Sequence, residues 1–325
     1  MPTPVPLTAS VVIPTYVRAD YLRSCLTHLA SQSYSIESIV VVDSSPDTRT
    51  RELIESEFPT TRYLRNELGA GHTAASRAIG FGAVTTDVVA FADDDTEPAP
   101  DWLEKLLAPY ADPAVGAVGG RVINGIPGEE DLGNGQIGML LPNGMLTGNF
   151  SAVTDRVIEV DHMLGASMSF RRTALQSVGG IRDYYPGPCL REETDPALRV
   201  GRAGWRVLFT PFATVRHNSG PYAKGRRFDL RYVYYGARNH QVLLWSTLGP
   251  GDGRLRRSWR GLASHRLREQ RSAIGRLYRR ESDPIPAIRT ILGTTARSAA
   301  DVAGTLAGTA VGASLWRAES RDGRG

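Results

Sequence analysis

The chain is short of cysteine and almost empty of lysine. Cys25 and Cys189 are the only cysteines in 325 residues. Two thiols cannot build a disulfide framework or a thiolate zinc site, and their scarcity points to a reducing compartment. Lysine occurs only at Lys105 and Lys224, so arginine carries nearly all the positive charge. No stretch reaches about 18 consecutive apolar residues, which argues against a spanning helix. The first eight residues lack the basic segment and long apolar run of a signal peptide, so a cytoplasmic protein is expected. With 41% hydrophobic residues and a formal charge of +4, disordered and collagen-like classes drop out as well. The length allows one large domain or two ordinary ones.

What is present is an alternation of β-branched runs and helical patterns through the first 120 residues. Residues 10–14 read as a buried strand, and residues 21–32 place Leu22, Leu26 and Leu29 on one helical face. A second strand at 38–43, a polar helix at 48–56 and a short strand at 62–65 follow. The turn Gly69-Ala70-Gly71 leads into a helix through Ala75 and Ile79, and a strand at 87–92 runs into Asp93-Asp94-Asp95. Strands without polar alternation, separated by helices, predict an α/β fold with a parallel sheet covered on both faces. Ligands of such sheets sit beyond the carboxyl ends of the strands. That rule singles out Pro14 and Thr15, Asp43, and Asp93 to Asp95.

Residues 125–148 are rich in Gly, Pro and Asn and read as a long loop or an irregular sheet edge. Regular structure returns with a strand at 162–170 and a helix at 172–178, stopped by Gly179-Gly180. A further helix follows the acids at 192–195, ends near Gly204, and gives way to a strand at 205–210. Residues 288–316 are rich in Ala, Gly and Thr and read as one or two weakly amphipathic helices. Before them lies an arginine run, 254–280, whose only acid is Glu269. Its plain reading is a solvated helix face. Its functional reading is attraction to an anionic surface, and no nucleic-acid-binding motif accompanies it.

Along an extended chain Asp93 and Asp95 point one way and Asp94 the other. Two carboxylates converging from one side call for a cation between them, and hard oxygen ligands suit Mg²⁺ or Mn²⁺. The competing reading is a solvated acidic turn, and the position at the end of a buried parallel strand favours the cation. Asp43 is either a turn-forming Asp or an acceptor for the base or ribose of a nucleotide. Arg77, near the start of a helix, stands within reach of a diphosphate. In Arg191-Glu192-Glu193-Thr194-Asp195 the acids suit a helix start, while a carboxylate in the preceding loop suits a general base. His217 lies just past a strand. A single His is ordinarily structural, but this one gains weight from the larger pattern.

That pattern resembles family 2 glycosyltransferases, the inverting enzymes of the GT-A fold. Residues 11–22 are similar to the family's opening strand and turn, and Val41-Val42-Asp43 to its nucleotide-binding Asp. Residues 71–80 resemble the Ala-Arg-Asn-x-Gly stretch with Arg77 in place, and Asp93-Asp94-Asp95 the metal-binding Asp-x-Asp. Residues 165–172 with Gly179-Gly180-Ile181 look like the acceptor-side strand and helix. Residues 192–205 resemble the stretch that carries the catalytic base. The resemblance implies a Rossmann-like, mostly parallel sheet flanked by helices over residues 1–250, with a nucleotide-binding half (8–120) and an acceptor-binding half (121–250). A basic helical extension, 251–325, completes the chain.

The resemblance also implies roles. Pro14, Thr15, Tyr16, Arg18, Asp43, Arg77, Asp93 and Asp94 would surround a nucleotide-diphosphate sugar. Asp93, Asp95 and His217 would hold Mn²⁺ or Mg²⁺, or Asp93 would touch the ribose and leave Asp95 as the main ligand. Glu193, or its neighbour Glu192, would be the base, and Asp195 would cap the following helix or touch the acceptor. The acceptor would be a small molecule, a glycan or a lipid-linked hydroxyl, with peripheral membrane contact through the basic extension and no nucleic acid. Three departures stand out: Val17 where the family often has Asn, Ala78 where Asn usually follows the Arg, and Glu193 where many members have Asp. The last feature also suits the alternative of a catalytically silent nucleotide-sugar-binding or scaffold protein.

Overall fold

A computed structural model of the chain describes residues 7–131, 133, 135–220, 228–278 and 284–321. Most of the opening segment (1–6) and the end of the arginine run (279 and 280) lie outside these. The chain separates into two compact units. The first comprises Met1–Leu140, Leu146–Asp183 and Glu192–Ala223, and the second Leu141–Met145, Tyr184–Arg191 and Lys224–Gly325.

The first unit begins with β1 (Ala9–Thr15), α1 (Ala19–Ala30), β2 (Ser38–Asp43), α2 (Arg49–Glu57), β3 (Arg62–Arg65), α3 (Thr73–Gly82) and β4 (Val88–Ala92). These strands pair in parallel in the order β3-β2-β1-β4. Register sets Thr15 beside Asp43, so the ends of the two strands meet at one edge of the sheet. Alternate residues of each strand feed opposite layers. Val11 and Ile13 pack with Leu22, Leu26 and Leu29 of α1, while Val12, Val40 and Val42 pack toward the other face. This two-sided burial is why the strands read as unbroken β-branched runs.

The unit continues with β5 (Thr96–Pro98), α4 (Trp102–Leu107), β6 (Val115–Ile123), β7 (Ile158–Glu159), β8 (Ser167–Arg171), α5 (Arg172–Ser177), α6 (Thr194–Arg202) and β9 (Arg206–His217). The mostly parallel sheet is found as expected, and its central exception is β8. β8 lies antiparallel between β4 and β6, with Ala92 opposite Ser167. The chain leaves β6 at one edge and, among the described residues, no crossover helix carries it to the other, so it re-enters from the same edge and runs backwards. Residues 162–166, expected within a strand, are loop instead, and His162 Nε2 donates to the Thr147 carbonyl at 2.9 Å. β9 runs past the expected end at Thr210. A register shift against β6 at Gly120 and Arg121 accommodates Pro211.

The second unit contains α7 (Leu230–Leu248), α8 (Gly253–Tyr278) and α9 (Pro284–Arg321). Asp229 caps α7, accepting the Tyr232 amide at 2.7 Å. Helix α9 meets α7 through Gly304, Gly308 and Gly312, one per turn. A Cβ on Gly304 would stand 2.2 Å from the Tyr234 carbonyl oxygen, and one on Gly308 2.2 Å from that of Arg238. Backbones approach this closely only where side chains are missing. Among the described residues no helix is long and apolar enough to cross a membrane.

Candidate active site

At the end of β4 the chain turns rather than continuing extended. The Asp93 carbonyl accepts from the Thr96 amide at 3.2 Å and from the Thr96 hydroxyl at 2.7 Å. The convergence of Asp93 and Asp95 therefore comes from a turn and not from strand alternation, which corrects the sequence argument. Antiparallel pairing of β5 with β9 then places Thr96 opposite His217. Ligand atoms of Asp93, Asp95 and His217 lie within 4.8 Å of one another, the one such cluster among the described residues.

The three aspartates have separate duties. Asp94 points inward, where its Oδ2 accepts the Thr15 hydroxyl at 2.7 Å and its Oδ1 accepts Arg18 Nη1 at 3.0 Å. Burial pushes the Asp94 carboxyl up to about 7. The same Arg18 nitrogen reaches Asp95 Oδ2 at 3.0 Å, and that oxygen also accepts the Gly220 amide at 2.7 Å. Burial opposes ionisation of Asp95, but His217, Arg18 and that amide outweigh it and hold the group below the ordinary carboxylate range. Asp95 Oδ1 is buried and accepts no hydrogen bond, with His217 Nε2 3.3 Å away. An orphaned anionic oxygen facing a second carboxylate and an imidazole is what a divalent cation would complete.

The orientation of His217 is set from behind. Glu129 is buried, and its carboxylate accepts the Asn124 side-chain Nδ2 at 3.1 Å and the Asn124 and Gly125 amides. A carboxylate only accepts, so the amide nitrogen of Asn124 faces Glu129 and its Oδ1 faces His217 Nδ1, 3.2 Å away. Nδ1 must then be the protonated nitrogen, and Nε2 turns its lone pair toward Asp93 and Asp95. In the absence of a cation, desolvation disfavours the imidazolium, but Asp95 and Asp93 overcome it and raise the His217 pKa.

Arg77 is 1% exposed and lies between two acids. Its Nη2 donates to Asp93 Oδ1 at 2.6 Å and to the Gly165 carbonyl at 3.2 Å, and its Nη1 donates to Glu192 Oε1. Its guanidinium thus bridges two carboxylates. Gly165 leaves the room, since a Cβ there would sit 2.7 Å from the guanidinium. Burial pushes Glu192 up to about 8 despite Arg77. Glu193 occupies the position just before α6 and is half-buried. Asp195 is buried and accepts Arg199 Nε at 2.8 Å, while Arg199 also donates to the Val178 and Gly180 carbonyls, so this acid ties α6 to the end of α5.

Pro14 and Thr15 close β1, with Tyr16 half-buried beyond them. Asp43 is buried. Its Oδ1 accepts the Ser45 amide at 2.8 Å and its Oδ2 the Tyr63 hydroxyl at 3.0 Å, as a turn-forming Asp would, with Arg65 3.5 Å away. Val17 has a φ of +55°, a left-handed conformation that a β-branched residue seldom adopts. Its amide donates to Ser45 Oγ at 2.7 Å. Sequence reasoning placed Gly165 at the start of the acceptor-side strand and missed Asn124, Glu129 and Gly220. None belongs to a spaced motif, and only the Gly-rich texture after β6 hinted at that loop.

The strand order with its acidic turn is that of the GT-A glycosyltransferases. Solved structures with the same fold include the mannosyltransferase PcManGT from Pyrobaculum calidifontis in complex with GDP-Man and Mn²⁺, at a TM-score of 0.57 and 18% identity, over 99% of this chain and 90% of that one. Another is S. aureus TarS, residues 1–349, with a TM-score of 0.53 and 14% identity over 98% and 92% of the two chains. At such identities the likeness is one of fold. The family model described as glycosyl transferase family 2 matches residues 10–179, and the chain belongs to that family. Among curated relatives, the pre-mycofactocin glycosyltransferase of Mycobacterium tuberculosis is 30% identical over 227 residues, 70% of this chain and 46% of that protein. The N-acetylglucosaminyl-diphospho-decaprenol L-rhamnosyltransferase of the same organism is 26% identical over 233 residues, 64% and 75% of the two. The chain spans about half the length of the first of these.

Proposed function

We propose that the protein is an inverting glycosyltransferase. It moves a sugar from a nucleotide-diphosphate donor to an acceptor hydroxyl with the help of a divalent cation. The observation that carries this reading is the convergence of Asp93, Asp95 and His217 around an unbonded, buried Asp95 oxygen, one guanidinium away from the acids that precede α6. Asp95 and His217 are the principal ligands, and Asp93 turns its remaining capacity to the cation or to the ribose. Bound there, Mn²⁺ or Mg²⁺ would neutralise charge growing on the departing diphosphate.

Glu193 is the base in this reading. A base must meet its substrate, and Glu192 is 4% exposed with one oxygen given to Arg77. Glu193 stands at the mouth of α6, removes the proton of the acceptor hydroxyl, and allows attack on the anomeric carbon opposite the leaving group. Glu192 and Arg77 hold that corner in place. Pro14, Thr15, Tyr16 and Asp43 line the nucleotide side at the ends of β1 and β2, and Arg18 orients Asp94 and Asp95.

A thermal-shift screen of nucleotide-diphosphate sugars with and without Mn²⁺ tests the donor half, because a ligand that binds only the native state raises its melting temperature. One donor is expected to stabilise the protein strongly only when Mn²⁺ is present. Glu193→Gln is expected to keep that shift and lose about 10²–10⁴-fold in turnover. Asp95→Ala is expected to lose the shift itself. Transfer by Glu193→Gln at the wild-type rate would place the base elsewhere. A donor-dependent shift without any transfer or donor hydrolysis would favour the silent binding protein.

A further inference from the structure

We infer that the outer side of the α8–α9 pair is a docking surface for an anionic lipid bilayer. Helix α8 carries eight arginines against one acid, Glu269. One of them, Arg266, is consumed within the unit by Asp301 of α9 and by Glu269. Arg256, Arg260 and Arg271 instead face solvent and have no ion pair among the described residues. At 3.6 residues per turn these three fall within an arc of about 60°. Leu267 and Ile274, 59% and 41% exposed, lie on the same arc. The charged stripe of α8 therefore contains two aliphatic groups that a merely solvated face would not carry.

Helix α9 supplies the rest. Contacts of Arg266 with Asp301 and of Gln270 with Thr295 show that the two helices run antiparallel. The glycine face of α9 is occupied by α7, and the opposite face exposes Leu292, Val302 and Leu306 at 64%, 47% and 56%. Handedness settles which side they share. On each helix the exposed aliphatics follow the interhelix contact in the direction away from α7, so both rows flank one outer seam. Arg289 and Arg297 of α9 are exposed as well.

An aliphatic ridge bordered by guanidinium groups fits a bilayer interface, where side chains enter the acyl boundary and cations meet headgroup phosphates. No described helix is apolar enough to span, so the pair would lie in the plane of the interface. Nucleic acid would use the cations and leave the leucines in water. A second copy docked by a two-fold axis would set arginine against arginine.

The experiment is co-sedimentation of the full-length protein with phosphatidylcholine vesicles and with vesicles containing about 30% phosphatidylglycerol. Binding is expected only to the anionic vesicles, with release by about 0.5 M NaCl. At about fivefold per charge removed, Arg256→Glu with Arg260→Glu and Arg271→Glu should weaken partitioning by ~100-fold or more. Leu267→Ser with Leu306→Ser should weaken it about tenfold without changing the salt dependence. Circular dichroism checks that the variants fold, and the wild-type comparison of the two vesicle types needs no variant. Wild-type protein that stays in solution with anionic vesicles overturns the proposal. So does an arginine variant that binds vesicles as before but loses duplex DNA, or a leucine variant that changes only the oligomeric state. The readout needs no catalytic activity, so it stands or falls apart from the proposed reaction.

Discussion

The two units bury their helices by opposite means. In the first, α1 meets the sheet through large side chains, and Gly80 of α3 presses on a side chain: a Cβ there would stand 2.3 Å from Val12 Cγ1. In the second, α9 meets α7 where side chains are absent, and at Gly304 and Gly308 the atoms in the way are main-chain carbonyl oxygens. A valine methyl yields by a small rotation, whereas a helix carbonyl is held by its own hydrogen bond. Apolar periodicity thus announces the first kind of packing in advance, while the second leaves only a spacing of small residues.

Substitution at these glycines tests the contrast most strongly. Gly308→Leu should cost about 3 kcal/mol or more, as forced overpacking against backbone does, and urea unfolding should show the second unit lost while the first keeps its transition. Gly80→Ala should cost about 1–2 kcal/mol, because Val12 repacks. Equal losses in both variants would erase the distinction between the two kinds of contact.

Within the first unit, the prop behind His217 is expected to matter more to cation binding than to folding. Asn124→Leu should lower Mn²⁺ affinity by about 10–100-fold, the usual cost of losing the group that orients a ligating imidazole. Isothermal titration measures this, and an unchanged affinity would remove Asn124 from the site. The pH dependence has a definite sign. Asp95 and Asp93 raise the His217 pKa, and a protonated Nε2 has no lone pair to offer. Cation binding therefore expels a proton and tightens by up to about tenfold per pH unit until that raised value is passed. Without cation, the stability from the imidazolium–Asp95 pair is complete below the unfolded histidine value and fades as pH rises through the folded one.

The smallest effect is a gain. Val17→Asn relieves a β-branched residue held at φ +55° and should stabilise the first unit by about 1 kcal/mol, read as a higher urea midpoint. A variant less stable than wild type would show that Val17 contributes packing worth more than its backbone costs.

Much of the first unit was legible before any coordinates. β2 and β3 run over the expected residues, and β1, α2, α5 and β4 differ by a residue or so, because β-branched runs bounded by turn formers leave few alternatives. The direction of β8 was not legible, since it depends on which edge a long loop returns to. The partners of Arg77 within the fold were not legible either. Position near a helix start suggested a phosphate, and burial between Asp93 and Glu192 supplied two carboxylates.

Local pattern was enough to specify where strands end, which acids stand at those ends and how the sheet hides its two faces. These are consequences of side-chain shape and polarity within a few residues. Packing in three dimensions chose which charges meet. Arg18 joins acids 76 and 77 positions away, and Arg77 reaches one 115 positions away. Such pairings cost desolvation and are repaid only by geometry that the whole fold imposes. The same holds for the glycines of α9, whose purpose appears only when another helix lies against them.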